Sequence, residues 1–283
     1  MTSSGVDSDP SFAARLTGAL RTARLGRHFE HLPTCGSTND EAFARAIAGA
    51  GEGALLAADE QTKGRGRRGR SWHSRPGENL TFSLLLRPAL PARNVAPLTL
   101  LAGAALAATL SQLRLEPKLK WPNDVLLGGA DGPRKVAGIL TEMSSEGDRV
   151  RHVVLGIGIN VNADAFPDDL ARATSLRLAL GAALDSAALL ASFLNAFEPR
   201  YDDFVSHGPA AALDEWNRYA LLGQPCWIDR PSGRVDGVAE GVDASGALQI
   251  RTAAGETISV HGGEVNWLWP REIIRTLPGS FSL

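Results

Sequence analysis

A glycine- and arginine-rich segment between two predicted strands constrains the fold more than any other feature of this 283-residue chain. The segment spans residues 61–72, and its three glycines match the GxGxxG pattern of dinucleotide-binding folds. That pattern requires a helix after the third glycine and an acidic residue about 20 positions further on. Here Pro76-Gly77 and a predicted strand follow instead, and positions 85–93 contain no acidic residue. The sequence therefore excludes a Rossmann fold and predicts a strand–loop–strand unit.

The same loop is strongly basic. Its residues 63–70 contain five cations, which are Lys63, Arg65, Arg67, Arg68 and Arg70. Glycines allow such a loop to fold closely around a ligand, and guanidinium groups match phosphate and carboxylate oxygens in a bidentate manner. The loop therefore indicates a concentrated anionic ligand. A solvated flexible loop and a nucleic-acid contact through phosphates remain open on the basis of charge density alone.

The composition is that of an ordinary globular protein. Hydrophobic residues make up 44% of the chain, charged residues 21%, and the net charge is -2, which argues against a dedicated nucleic-acid or membrane-surface binder. No secretory signal is visible, and the longest nearly apolar run, 95–110, is shorter than the roughly 18–20 residues that span a bilayer. Cys35 and Cys226 are far apart, and the histidines show neither HxH nor HExxH spacing. We expect a cytoplasmic protein with reduced cysteines, no membrane association and no histidine-built metal site.

Hydrophobic periodicity predicts an α+β fold for the first part of the chain. Helices are predicted at 12–25, 37–50, 97–113, 186–204 and 210–219, and strands at 54–59, 80–86, 136–143 and 150–161. After Leu222 the pattern changes to short strands separated by turns, at 226–229, 234–242, 247–251 and 257–260, with a turn at 231–233. This spacing predicts a small antiparallel barrel. The predicted domains are 1–222, with a disordered tail at 1–11, and 223–283.

Residues 120–124 form a second motif, Lys-Trp-Pro-Asn-Asp. Its proline ends a short predicted strand, so the Asn123 and Asp124 side chains are free to turn out of the sheet. A carboxylate near a cationic phosphate loop is suited to binding Mg²⁺ or organising phosphates. An Asx turn that merely closes a strand explains the same residues, and the motif alone favours that simpler interpretation.

Two predicted strands contain glycines that suit close approach of a ligand. In residues 135–142, alternation places Lys135 and Ala137 on one face, and Gly138 opens the backbone to contact. A lysine at the end of a strand is often merely exposed. In residues 156–162, two glycines remove side chains from one face of the strand, and backbone contact with a flat ligand is one reason to retain them.

Together these segments resemble the biotin–protein ligase family. The matching pieces are STN at 37–39, QTKGRGRRGRSW at 61–72, KWPND at 120–124, KVAGIL at 135–140 and GIGINVN at 156–162. The stretches 241–248 and 262–265 are similar to the family's C-terminal barrel. The resemblance implies a catalytic domain like those of class II aminoacyl-tRNA synthetases and biotin–lipoyl ligases, with helices packed on a mixed or antiparallel sheet. A small SH3-like β-barrel would follow it.

The resemblance implies a biotin–[acetyl-CoA-carboxylase] ligase, which converts biotin and MgATP to biotinyl-5′-adenylate and then transfers biotin to a lysine of a biotin carboxyl carrier protein. Lys135 and Arg67 would be catalytic and bridge the biotin carboxylate and the α-phosphate. The biotin-binding set would be Ser37, Thr38, Asn39, Gln61, Gly64, Arg65, Trp72, Gly138, Gly156 and Gly158. The ATP- and adenylate-binding set would be Arg65, Arg67, Arg70, Trp72, Lys120, Asn123 and Asn160, with Asp124 as the Mg²⁺ ligand.

The chain departs from the repressor-type members of this family, which carry a winged helix-turn-helix before the STN motif. Only 36 residues precede Ser37 here, so we expect the short type of ligase without DNA binding. A homodimer is a further expectation, because a strand such as 150–161 at a sheet edge is able to pair with a second copy. Two other functions remain as alternatives: a lipoate or octanoate ligase of the same fold, and a nucleic-acid-binding module that uses the loop at 63–70.

Overall fold

The computed structural model describes residues 11–129, 132–230 and 233–267. The predicted tail at 1–11 lies outside these residues apart from Ser11, whose hydroxyl accepts the Ala14 N–H and caps the first helix. Part of the predicted turn at 231–233 and the last part of the predicted C-terminal domain, residues 268–283, also lie outside them.

The chain up to residue 219 forms a sheet with helices on both faces. The helices are α1 (Phe12–Ala19), α2 (Thr38–Ile47), α3 (Pro97–Gln112), α4 (Leu176–Leu180), α5 (Ser186–His207) and α6 (Ala210–Tyr219). The strands are β1 (Phe29–Cys35), β2 (Leu55–Gln61), β3 (Asn79–Leu86), β4 (Lys118–Lys120), β5 (Asp124–Leu127), β6 (Arg134–Glu146) and β7 (Arg149–Asn160).

The strand order in this sheet is β1-β2-β3-β7-β6-β5-β4. Strands β1 and β2 are parallel and the other neighbours are antiparallel, so the predicted mixed sheet is confirmed. The suggestion that strand 150–161 lies at the sheet edge is wrong, because β7 is paired on both sides, with β3 and with β6. The backbone groups of β7 are therefore hydrogen-bonded within the chain. This strand is not free to pair with a second copy, so the expected homodimer has no support from it.

The two faces of the sheet are covered unequally because side chains alternate along each strand. Leu84 and Leu86 join the main core under α3 and α5, where Phe82 packs against Phe193 with ring centroids 5.6 Å apart. Leu85 points to the opposite face and packs with residues of the short helix α2. Because α2 covers only part of that face, the remainder is open to hold a ligand.

Helix α3 is the apolar centre of the main core. Residues 92–112 are long and apolar enough to cross a membrane by length and composition, with a mean hydropathy of 1.5. However, 72% of this window is buried inside the protein, and α3 packs against both α5 and α6. The apolar composition of α3 is therefore explained by its burial in the protein core.

Helix α1 is shorter than the pattern at 12–25 predicts, since it ends at Ala19. The following segment is held in a non-helical form by Glu198 of α5, whose carboxylate accepts the N–H groups of Ala23, Arg24 and Leu25 at 2.5 to 2.9 Å. A distant carboxylate thus supplies the hydrogen bonds that helix continuation would have supplied. Hydrophobic periodicity does not predict this contact, because Glu198 is more than 170 residues away in the sequence.

The C-terminal part forms a five-stranded antiparallel sheet in the order β11-β10-β9-β8-β12. Its strands are β8 (Pro225–Arg230), β9 (Gly233–Val242), β10 (Leu248–Arg251), β11 (Thr257–Val260) and β12 (Val265–Trp267). The small antiparallel β unit predicted after Leu222 is confirmed. Its β9–β10 turn docks on the larger sheet, where the Trp121 indole N–H donates to the Gly246 carbonyl at 3.0 Å.

Candidate active site

A cleft lies on the face of the large sheet that α2 leaves partly uncovered. Its floor is formed by Gly156 and Gly158 of β7 and by Gly138 of β6, which pairs with Gly158 across the ladder. Because these positions carry no side chains, other groups are able to lie directly on the strands. The loop at 64–72 and the Glu264 region of the small sheet form its walls.

One end of the cleft is a neutral hydrogen-bonding pocket. The Gln61 side-chain oxygen accepts the Thr38 N–H at 2.7 Å and the Thr38 hydroxyl at 3.1 Å. The buried Ser83 hydroxyl lies 2.7 Å from the Thr38 oxygen and 2.6 Å from the Asn39 side-chain oxygen. Ser37 occupies the N-cap position of α2 but its side chain does not cap the helix. These groups supply donors and acceptors without net charge, which suits a neutral polar ring.

The basic loop is closed on itself as a small hairpin. Trp72 N–H donates to the Gly64 carbonyl at 2.9 Å, and Gly66 N–H donates to the Arg70 carbonyl at 2.7 Å. The turn at its tip places Arg68 at φ 56 and Gly69 at φ 73, both in the left-handed region. A Cβ at Gly64 would lie 2.3 Å from the Trp72 carbonyl oxygen, so this strand pairing requires glycine there.

The glycines of the floor are covered by side chains of this chain. A Cβ at Gly158 would lie 2.2 Å from the Trp72 indole, and one at Gly156 would lie 2.0 Å from the Asn39 side-chain oxygen. The sequence predicts that Gly156 and Gly158 admit a flat ligand. The structure shows a more specific role, because they let Trp72 and Asn39 lie directly on the sheet. The Trp72 Nε1 is buried against the sheet and makes no hydrogen bond to another described residue.

The arginines of the loop have different partners. Arg65 forms a bidentate pair with Glu142 at 2.7 and 3.0 Å and also contacts Asp40 at 2.8 Å. Arg70 pairs with Glu264 of the small sheet. Within the part of the chain that the structure describes, Arg67 donates to the Asn123 side-chain oxygen at 3.3 Å and has no carboxylate partner within ion-pair distance. Burial, together with the neighbouring Arg68, lowers the Arg67 pKa below the ordinary arginine value, so Arg67 is a partly desolvated cation that an anionic ligand would stabilise.

Lys120, Asp124 and Lys135 meet at the other end of the cleft. The Lys135 Nζ lies 2.6 Å from the Asp124 carboxylate and 5.7 Å from the centre of the Trp72 ring. Burial lowers the Lys120 pKa below its usual value; Asp124 opposes the shift, and Lys135 reinforces it. Three cationic side chains, Arg67, Lys120 and Lys135, therefore share one carboxylate, which leaves a net positive end that attracts anions.

A second cavity of about 260 Å³ lies on the other side of Trp72. Lys135 and Trp72 line both cavities, so the two cavities are neighbours on either side of the indole. Asn160 lies in this second cavity, where its amide donates to the Thr174 carbonyl at 3.0 Å and accepts from Asn79 at 2.9 Å. The role of Asn160 in reading an adenine edge stays a prediction, and one N–H remains for it.

The described residues contain no group of three or more His, Cys, Asp or Glu side chains arranged to hold a metal ion. Asp124 is the carboxylate that the cleft offers between the loop arginines and the lysines. Mg²⁺ commonly binds proteins through one or two carboxylates and takes its other ligands from substrate phosphates and water. The cleft therefore fits a nucleotide-borne Mg²⁺ and does not form a dedicated metal cage.

The structure brings most of the predicted site residues to one place. Of these residues, Gly64 pairs with the Trp72 backbone without lining the first cleft, and Asn160 lines the second cavity. Three residues that sequence reasoning missed are Ser83, Glu142 and Glu264. Alternation along β3 and β6 places Ser83 and Glu142 on the open face, but nothing local to the sequence links them to Thr38 or Arg65. Glu264 lies in the stretch 262–265, to which the sequence assigns no role in the site.

Comparisons with known proteins agree with this geometry. Residues 37–160 match the model of the biotin/lipoate A/B protein ligase family, and residues 221–266 match the biotin protein ligase C-terminal domain. The chain is 41% identical over 241 residues to the bifunctional ligase/repressor BirA of Bacillus spizizenii, covering 83% of this chain and 73% of the relative. It is 37% identical over 231 residues to the biotin--[acetyl-CoA-carboxylase] ligase of Paracoccus denitrificans, covering 78% of this chain and 93% of the relative.

Among solved structures, the biotin protein ligase of Aquifex aeolicus in complex with biotin and ATP superposes with a TM-score of 0.73. The two share 29% sequence identity over 86% of this chain and 99% of that one. Because the relatives match over most of their own length as well as most of this chain, the similarity includes both sheets. The chain therefore belongs to the biotin protein ligase family.

Proposed function

We propose that this protein is an ATP-dependent biotin–protein ligase that forms biotinyl-5′-adenylate and transfers the biotinyl group to a lysine of a biotin carboxyl carrier protein. The observation that carries the proposal is the cleft itself. A neutral pocket at Thr38 and Gln61 continues directly into a positive end formed by Arg67, Lys120 and Lys135. Biotin has this polarity, with a neutral ureido ring at one end and a carboxylate at the other.

In the first step, a carboxylate oxygen of biotin attacks the α-phosphorus of ATP, and the bond from that phosphorus to pyrophosphate breaks. Both reactants are anionic, so the barrier includes their repulsion. Lys135 and Arg67 would contact both groups, bring them together and neutralise the charge that develops in the transition state. Before substrates bind, Asp124 holds the Lys135 ammonium in place at 2.6 Å, so this group needs little reorganisation.

The nucleotide would occupy the cavity behind Trp72, with its base near Asn160 and its phosphates directed towards Lys120 and Arg70. The indole divides this cavity from the biotin pocket and lines both, so it would pack against the adenylate at the junction. Mg²⁺ bound to the phosphates would neutralise their charge, with Asp124 as its protein ligand and Asn123 adjacent.

In the second step, a neutral lysine amine of the carrier attacks the acyl carbon of the mixed anhydride. The new C–N bond forms, the bond from the acyl carbon to the AMP oxygen breaks, AMP leaves with that electron pair, and the amine releases a proton. The cations that neutralised the α-phosphate also stabilise AMP as the leaving group. Closure of the 64–72 loop over the adenylate would exclude water and protect the reactive anhydride.

The proposed enzyme is cytoplasmic, where ATP and carrier proteins are present. The expectation of no DNA binding and the expectation of a homodimer both stay predictions.

The test measures the two steps separately. Purified protein is mixed with biotin and MgATP, and pyrophosphate release is followed; a carrier domain is then added, and the biotin attached to it is measured. A parallel reaction with lipoate in place of biotin distinguishes the lipoate ligase alternative. Pyrophosphate release that depends on lipoate and not on biotin would refute the proposal.

Lys135→Ala is the diagnostic variant, and Lys118→Ala is its matched control. Both remove a lysine near the end of a β-strand, but Lys118 is exposed and outside the cleft. We expect Lys135→Ala to reduce the rate of pyrophosphate release about 100-fold or more, and Lys118→Ala to change it little. Normal release in Lys135→Ala would show that another group bridges the two anions.

A further inference from the structure

Glu142 of β6 connects two parts of the cleft that differ in chemistry. One of its carboxylate oxygens accepts an Asn39 side-chain N–H at 2.7 Å and an Arg65 N–H at 2.7 Å. The other oxygen accepts a second Arg65 N–H at 3.0 Å, and this bidentate pair fixes the plane of the carboxylate. Glu142 lies beside the cleft and not among its lining residues, so it acts on a ligand only through its neighbours.

The Asn39 side-chain amide has one favourable orientation. Its NH2 group faces two acceptors, the Glu142 carboxylate and, at 3.4 Å, the Leu140 carbonyl. A flipped amide would place its oxygen against the carboxylate, with no proton between two acceptors. Asn39 is only 4% exposed, so water has little access to relieve such a mismatch. The carboxylate therefore directs the Asn39 oxygen towards Ser83, on the other side of the amide.

This orientation sets the direction of the next two hydrogen bonds. The Ser83 hydroxyl has one proton and two neighbours, the Asn39 oxygen at 2.6 Å and the Thr38 oxygen at 2.7 Å. Because an amide oxygen only accepts, the Ser83 proton goes to Asn39, and the Thr38 hydroxyl donates to Ser83. Ser83 is fully buried and Thr38 is 3% exposed. The hydrogen bonds therefore run in one direction, from Thr38 through Ser83 and Asn39 to Glu142.

The chain of hydrogen bonds ends at the ligand pocket with a defined pattern of donor and acceptor. Since its proton is committed to Ser83, the Thr38 oxygen offers an acceptor to the cleft. The Gln61 oxygen accepts the Thr38 N–H at 2.7 Å, which leaves the Gln61 NH2 group as a donor. Both residues line the cleft. An acceptor beside a donor matches a ring edge on which an N–H adjoins a C=O, which is the arrangement in a ureido group.

From these observations we propose that Glu142 is a positioning residue that selects the ureido ring without touching it. Its carboxylate orients Asn39, and Asn39 and Ser83 then hold the Thr38 oxygen as an acceptor for a ring N–H. This inference rests on the proposed function and adds to it the origin of ring specificity. A ring of the same shape with oxygen in place of that N–H would put two acceptors face to face. Sites built to hydrogen-bond a substrate N–H discriminate strongly against analogues that lack it.

The experiment compares biotin with its two cyclic-carbamate analogues, in each of which one ring N–H is replaced by oxygen. Dissociation constants are measured by calorimetric titration. Glu142→Ala removes the acceptor for Asn39, whereas Glu142→Gln keeps one oxygen for it and removes the charge. Ser83→Ala interrupts the same chain by loss of a single oxygen atom, in case Glu142→Ala fails to fold. Glu146→Ala is the matched control, because Glu146 also lies on β6 and pairs with Arg151 but is exposed and outside the cleft.

We expect the wild type to bind biotin at least about 100-fold more tightly than the weaker-binding carbamate. In Glu142→Ala and in Ser83→Ala this ratio should fall below about tenfold, because the Thr38 proton is then able to turn towards the ring oxygen. Glu142→Gln should keep the ratio near the wild-type value, since its amide oxygen still orients Asn39. Glu146→Ala should match the wild type for all three ligands.

Two results would overturn the inference. An unchanged ratio in both Glu142→Ala and Ser83→Ala would show that this chain of hydrogen bonds does not hold the Thr38 hydroxyl. An equal loss of discrimination in Glu142→Gln and Glu142→Ala would show that the charge of Glu142 acts through Arg65, and not through the orientation of Asn39. If the wild type neither bound biotin nor released pyrophosphate with biotin and MgATP, the proposed function would fail instead, so the two failures are distinguishable.

Discussion

The contact between Trp72 and Gly158 provides the sharpest test of how this cleft is built. Gly158 lies in the middle of the sheet, paired on one side with Thr81 of β3 and on the other with Gly138 of β6. Its backbone is therefore unable to move without disturbing two ladders. We consider Gly158→Ala, which adds one methyl group beneath the indole.

The structure sets the size of the disturbance. The added Cβ would lie 2.2 Å from Trp72 Cε2, 2.5 Å from Nε1 and 2.6 Å from Cζ2. Since carbon atoms pack at about 3.5 Å, the rigid indole has to retreat by roughly 1.3 Å, the difference between 3.5 and 2.2. Overpacking of this kind costs about 1–3 kcal/mol in the free energy of unfolding. The retreat also moves Trp72 off the boundary between the two cavities.

The assay combines urea unfolding with calorimetric titration of biotin and of ATP. We expect Gly158→Ala to lose about 1–3 kcal/mol of stability and to bind ATP at least about tenfold more weakly, because 1.4 kcal/mol of lost contact corresponds to a factor of ten. Gly103→Ala is the control. A Cβ there would meet Leu119 and Ile139 at 3.6 to 3.8 Å, an ordinary contact, and the helical position should gain about 0.5–1 kcal/mol.

The reasoning fails if Gly158→Ala unfolds at the same urea concentration as the wild type and binds ATP with the same Kd. That result would mean that Trp72 does not rest on the sheet in solution. A loss of stability with unchanged ATP binding would mean that the indole packs on Gly158 but is not part of the nucleotide site.

Three further predictions concern individual charged groups. Arg67→Ala should slow adenylate formation about 100-fold and weaken adenylate retention. The control Lys63→Ala, on the same loop, should have little effect. Normal adenylate retention by Arg67→Ala in a filter assay would contradict the role of Arg67. Glu264→Gln removes the charged partner that holds Arg70 and the loop in place. ATP should then bind about two- to fivefold more weakly by calorimetry. An unchanged affinity for ATP would show that this ion pair does not position the loop. Glu198→Gln should cost about 1–3 kcal/mol at pH 7 by urea unfolding. Burial raises the Glu198 pKa, but hydrogen bonds from three backbone N–H groups outweigh this effect and hold the pKa below 4.5. The stability that the carboxylate contributes is therefore present above pH 4.5 and is lost as the pH falls through the lowered pKa. The difference in free energy of unfolding between wild type and Glu198→Gln should narrow over that range.

Local signals in the sequence predicted the elements that carry the site. Pro97 and the apolar run after it predict a helix at 97–113, and α3 spans Pro97–Gln112. The agreement is close because this helix is buried along most of its surface, so its apolar composition alone identifies it. The hairpin of β6 and β7 followed from two apolar strands on either side of a polar turn. The sequence does not predict strands β1, β5 and β12. Strands β1 and β12 pair with strands more than 20 residues away, and β5 is only four residues long, too short for a periodic pattern.

The sequence by itself determined the chemistry available to this protein: a basic glycine loop that is not followed by a helix, two lysines in motifs near it, and the order and spacing of five segments. These are local properties, carried by residue types and their separation along the chain. Only the tertiary structure decided which groups face each other, because contacts such as Arg65 with Glu142 and Arg70 with Glu264 join residues far apart in sequence. The same holds for β7, which pairing places in the centre of the large sheet, and for the contact between the two sheets, where the Trp121 indole meets the Gly246 carbonyl.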